Sequence, residues 1–294
     1  METGRTESRF SQIALVFSLI LLTACQFLGT SSPAAQEAVA TLALSTPSVV
    51  VTPVPSPQPT LSLAEKEALA LEYYMTNGNC ELPCWWGIVP GETEWKTAEH
   101  FLNTIAVEIS TNAESETDPY YSASVTVPVP EDLSETSLLK HTFIVEGGII
   151  VEIKPEGPWG GRKVDTVSEI LSTYGRPSEV WLDTVGYTFG DSYYPFRIAL
   201  FYPEKGILAR YLDDADLTND YLIGCSQEDS ATLVPWSPKR NLSFEETLSR
   251  QQGVQYYKPL TEVAGMDVET FYQTYLDPDT ETCIETPAEL WLDR

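Results

Sequence analysis

Histidine is nearly absent and bases are scarce: the 294 residues hold 2 His and 17 Lys and Arg against 43 Asp and Glu. The resulting net charge of −26 opposes binding to nucleic acid or to anionic lipid surfaces, since both are polyanions. Two histidines leave few choices for a base beside a nucleophile. His100 falls inside a predicted helix next to Glu99, His141 opens a predicted strand beside an exposed loop, and no Gly-x-Ser-x-Gly elbow accompanies either. Both read as solvated or structural. A zinc site needs clustered Cys or His, and neither histidine adjoins a cysteine. The segment Gly157-x-x-Gly160-Gly161 lacks the Lys-Ser/Thr of a phosphate loop. No charge-free apolar run reaches the roughly 20 residues that a spanning helix needs. What the chain does have is 43% hydrophobic residues, with 7 Trp and 15 Tyr, enough for a core despite the acidity.

The N-terminus carries Arg5 and Arg9, an apolar stretch from Ile13 to Leu22, and then Thr23-Ala24-Cys25. A basic start, a short apolar run and small residues before a cleavage point are the parts of a secretory signal. An aliphatic residue, two small residues and a cysteine resemble the bacterial lipobox. That resemblance implies cleavage after residue 24 and diacylation of Cys25, which would anchor the chain to a membrane without spanning it. Loss of residues 1–24 removes Glu2 and Glu7 with Arg5 and Arg9, so the charge imbalance is untouched. Residues 25–61 then read as a tether. They are rich in Ser, Thr, Ala and Val, and Pro53, Pro55, Pro57 and Pro59 alternate, which excludes a regular helix and favours extended chain. Such a segment reaches up to about 100 Å from the lipid.

Four cysteines remain: Cys80, Cys84, Cys225 and Cys283. An even number in an exported chain reads as two disulfides, with three pairings open. Cys80–Cys84 and Cys225–Cys283 are the favoured pair, the second stapling the C-terminal segment to the body. A redox role for Cys80-Glu-Leu-Pro-Cys84 is disfavoured because the spacing is one residue longer than C-x-x-C.

Order is expected from Ser62, where Ser62 and Glu65 form a capping-box pattern ahead of Leu63, Ala64, Ala68, Leu69 and Leu71. Trp85 and Trp86, beside the first cysteine pair, read as a core plug. Further on, residues 98–106 match residues 167–175 in pattern, both as short amphipathic helices, the second opened by Thr166 and Glu169. Each is followed by β-type sequence: Tyr120–Val129, Thr142–Val145 and Ile149–Ile153 in one unit, Val180–Phe189, Arg197–Tyr202 and Ile207–Leu212 in the other. Turns at Gly147-Gly148 and Lys205-Gly206 mark hairpins. The first unit is longer, and Pro128–Lys140 reads as its extra polar loop. The fold class is therefore α+β: two helix-plus-antiparallel-meander units in tandem with a C-terminal helical extension. The divisions are a helix with the first unit at 62–155, the second unit at 156–225 and the extension at 226–294. In the extension, Ser243 and Glu246 cap one helix and Met266–Leu276 forms another.

Gly91-Glu92-Thr93 ahead of the first helix and Gly175-Arg176-Pro177 after the second resemble the small lipoprotein domain of the outer-membrane assembly factor BamE (SmpA). They also resemble the tandem fold of β-lactamase inhibitor protein, over about residues 88–212. The first unit departs from the pattern, with Ala106-Val107-Glu108 in place of Gly-x-Pro. The block from Cys80 to Gly91 is similar to one found in bacterial lipoproteins. The resemblance implies a protein-binding module using its sheet face, and supplies no activity.

Two acidic clusters, Asp213-Asp214-x-Asp216 with Asp220 and Asp277-x-Asp279-x-Glu281, offer hard oxygens for calcium. They lack the EF-hand spacing and read first as solvated loops, so no cofactor is expected. The expectation for function is a membrane-anchored extracytoplasmic lipoprotein, attached through the lipid on Cys25, acting as a non-catalytic module for an envelope or extracellular protein. The alternative is a carboxylate-based hydrolase of extracellular polysaccharide. An exposed apolar sheet face would favour the first, a cleft gathering acids and aromatics the second.

Overall fold

The computed structural model describes residues 61–115, 118–131, 133, 136–155, 165–184, 194–225, 231–249, 256–278 and 282–292, all within one unit, Pro57–Arg294. The signal, Cys25 and the tether lie outside these residues, as do the Gly157–Gly161 loop, Asp279 and Glu281.

The class is α+β. Helix α1 (Leu63–Thr76) starts at the Ser62–Glu65 capping box and ends at Asn77 in the left-handed conformation. Helix α2 (Trp95–Ile105) buries Trp95, Ala98, Leu102 and Ile105. It leads into a four-stranded antiparallel sheet of β1 (Glu108–Thr111), β2 (Tyr120–Pro128), β3 (Leu138–Glu146) and β4 (Ile149–Pro155), in that spatial order. Helix α3 (Val167–Tyr174), opened by the Thr166–Glu169 capping box, leads into β5 (Glu179–Asp183), β6 (Tyr194–Tyr202) and β7 (Ile207–Thr218), again a meander. Buried Leu102 of α2 and Leu171 of α3 occupy matching positions of the two helices.

The units differ where the extra length falls. Pro128–Lys140 is not the surplus: β2 runs to Pro128, β3 begins at Leu138, and the connection resembles that between β5 and β6 in length. The addition lies earlier, where β1 and its turn intervene between α2 and β2, while only Gly175–Ser178 separate α3 from β5. With Ala106 in extended conformation instead of a Gly-x-Pro exit, the chain leaves α2 straight into an edge strand.

The C-terminal part is not simply helical. It contains α4 (Phe244–Ser249), α5 (Leu260–Val263), α6 (Val268–Tyr275) and α7 (Glu289–Leu292). It also supplies strands β9 (Thr232–Pro235) to β7, β10 (Lys258–Pro259) to β5 and β11 (Ile284–Pro287) to β8 (Tyr221–Gly224), itself paired with the far half of β7. These short strands cover edges that would otherwise present unpaired backbone. Cys225 and Cys283 are bonded directly beside the β8–β11 pair, and Cys80 is bonded to Cys84.

Residues 235–237 join the two sheets. Trp236 N–H donates to the Gly206 carbonyl and Ser237 N–H to that of Val151, both at 2.9 Å, while Trp236 bridges Glu152 on β4. The crossing is close enough to demand glycine: a Cβ on Gly206, whose φ is +66°, would strike the Trp236 carbonyl, and one on Gly91 would strike Ser237. One apolar core runs through both units beneath the helices, and a smaller one, with Phe201, Trp236 and Phe244, lies on the opposite face of the second sheet.

Candidate functional site: the outer face of the joined sheet

Strand alternation decides what the outer face shows. On the first sheet, inward positions such as Ala123, Val125, Val127, Phe143 and Val145 are buried. The outward rungs are Ser110–Ser124–Thr142–Lys154, then Glu108–Thr126–Lys140 on one side and Ser122–Ile144–Glu152 on the other. The hydroxyl and lysine positions keep part of their surface in solvent, whereas Ile144 and Glu152, nearest the crossing segment, are buried. The middle of the face is hydrophilic, with single exposed apolar side chains, Tyr120 and Leu138, at its end rungs. It is neither the apolar face expected of a docking module nor a cleft lined by acids and aromatics.

Burying Glu152 requires compensation. Arg240 reaches it at 3.3 Å and Lys154 at 3.4 Å, placing two cations on one carboxylate. On the second sheet Asp183, also buried, pairs with Arg197 at 2.9 Å. Both carboxylates are thus held by cations, the arrangement of a structural ion pair. Among the described residues, the carboxyls of Glu65, Asp118 and Asp267 are lowered from the ordinary range. For Glu65 and Asp267 the cause is helix-cap hydrogen bonding, from Ser62 and Thr270 respectively, and for Asp118 it is the turn at Ser115.

His141 is not beside solvent. It is fully buried on β3, with the Trp86 ring edge-on at 4.6 Å and Trp85 at 6.0 Å. Its cross-strand neighbours are Val125 and Pro155, and neither ring nitrogen has a hydrogen-bond partner. Burial alone pushes the imidazole down to about 3, so it is neutral and structural. The alternation Leu139, His141, Phe143, Val145 is the signal that places it inside. His100 is exposed on α2. Trp85 and Trp86 are core residues, sealing the first unit around His141 next to the Cys80–Cys84 loop.

The acids of the first cluster considered for calcium do not converge. Asp213 and Asp214 alternate across β7, Asp216 pairs with Ile223, and Asp220 sits in the β7–β8 turn. Among the described residues no three His, Cys, Asp or Glu side chains gather as a metal site, and no helix is long and apolar enough to cross a membrane.

No protein-family model, curated protein or solved structure matches this chain.

Proposed function

We propose that this chain is an extracytoplasmic lipoprotein, attached through the lipid on Cys25, whose folded body acts as a non-catalytic binding module for an envelope or extracellular protein. The observation that carries the binding reading is the outer face of the first sheet. A four-stranded surface of Ser110, Ser122, Ser124, Thr126 and Thr142, flanked by Lys140 and Lys154, is left partly open while the other face is sealed under α1 and α2. Hydroxyl-rich, hydrated surfaces suit non-obligate contacts, which are about as polar as ordinary protein surface. Two disulfides agree with an oxidising compartment. Neutralised buried carboxylates and a histidine without hydrogen-bond partners weigh against the hydrolase.

The test is photo-crosslinking of the full-length chain in its own cells, with a photoreactive residue at Ser124 or Thr142 and a control at the exposed Lys96 of α2. A discrete protein adduct from the two face positions, absent from the control, is expected. Adducts that are equal at all three positions, or none at the face, overturn the reading.

A further inference from the structure

The second sheet carries an arginine that has no counterion among the described residues. Arg210 on β7 lies opposite Ala199 on β6 and Thr232 on β9, and Trp181 on β5 completes the rung. One rung along, Asp183 and Arg197 face each other and are ion-paired, so their charges cancel. Arg210 has no such arrangement. Its Nε is enclosed and makes no hydrogen bond, and no carboxylate among the described residues pairs with its guanidinium. A guanidinium cannot shed its charge, so an enclosed donor edge without an acceptor is costly wherever it is kept.

The surroundings define what the cation faces. Tyr257 lies one residue before the Lys258–Leu182 pairing, which sets it alongside Asp183, and its hydroxyl is within electrostatic reach of Arg210 and Arg197. Burial pushes that phenol up to about 12, against the pull of Arg210, so it remains a protonated donor. Trp181 stacks on Phe244 at 4.3 Å and Tyr257 meets Phe244 edge-on at 5.6 Å, forming an aromatic wall. Arg210 and Tyr257 are half-buried residues, and the Arg197 side chain beside them is 31% exposed.

We propose that Arg210 and Tyr257 bind a small monocarboxylate bearing an aromatic or apolar substituent. The guanidinium holds the carboxylate, the Tyr257 hydroxyl donates a further hydrogen bond, and the substituent lies against half-buried Trp181, which Phe244 backs from the core. Because Asp183 cancels Arg197, the cluster has one net positive charge, which matches a carboxylate better than a phosphate dianion. This site is on the second sheet and stands whether or not the first sheet binds a protein.

The experiment titrates the full-length chain with benzoate, following tryptophan fluorescence and melting temperature, with acetate and inorganic phosphate at matched ionic strength. Benzoate is expected to saturate and to raise the melting temperature, with acetate weaker. Arg210→Met, which keeps the stem and removes the charge, is expected to abolish the response while melting no lower than the parent. Tyr257→Phe is expected to weaken affinity about tenfold, and carries the test if the arginine variant does not fold. The proposal is overturned if benzoate does not saturate, if phosphate saturates in its place, or if Arg210→Met responds as the parent does.

Discussion

Lowering the pH from 7 to 5 should unload stability through one residue, His141. In the folded chain this imidazole is neutral because burial holds it down to about 3, between Val125 and Pro155 and under Trp86. In the unfolded chain it titrates near 6.5. Below that pH the unfolded state takes up a proton that the folded state refuses. The stabilisation is therefore complete above about 6.5, falls as pH drops, and levels off only near the folded value. The slope is about 1.4 kcal/mol per pH unit, giving roughly 2 kcal/mol between pH 7 and 5. Carboxylates titrate over part of the same range, so the measurement is a difference. Urea unfolding followed by tryptophan fluorescence is run at both pH values for the parent and for His141→Leu, which is of similar volume. The variant should lose roughly 2 kcal/mol less on acidification than the parent. Equal losses would refute a buried neutral histidine without a partner.

Further outcomes follow from the ion pairs, the disulfides and the crossing segment. Arg240→Met and Lys154→Met should each cost about 1 kcal/mol, but together about 3 or more by urea titration, because either cation alone still compensates buried Glu152. Removing Cys225–Cys283, which closes a separation of 58 residues, should cost about 4 kcal/mol in chemical denaturation, against about 2 for Cys80–Cys84 with its separation of 4. Gly206→Ala should lower stability by about 2 kcal/mol or more, since the added methyl strikes the Trp236 carbonyl where the two sheets join.

Local chemistry was readable from the residues. Three helix starts, at Ser62, Thr166 and Ser243, carry the reciprocal hydrogen bonds that a Ser or Thr and a Glu three residues later announce. Both hairpins turn at the glycines their sequences display. What escaped was short or distant. Strands β8 to β11 have two to four residues each, too few to establish a period, and the partners of β9, β10 and β11 lie far along the chain. The crossing of 235–237 between the sheets follows from two close approaches to glycine that no local pattern encodes. At the candidate site, a strand read from Thr142 leaves His141 beside a loop, whereas β3 starts at Leu138 and its alternation turns the histidine inward. That Arg197 finds Asp183 while Arg210 finds no acid among the described residues depends on registry between strands, which single-strand patterns do not carry.

The most direct test of the proposed function concerns its address. The full-length chain and Cys25→Ser would be expressed in the native host with a labelled fatty acid, and the cells separated into membrane and soluble fractions. The account predicts label and membrane association for the parent, with protease accessibility from outside the cytoplasm, and loss of label from the variant. An unlabelled parent, or a variant that retains the label, would contradict it.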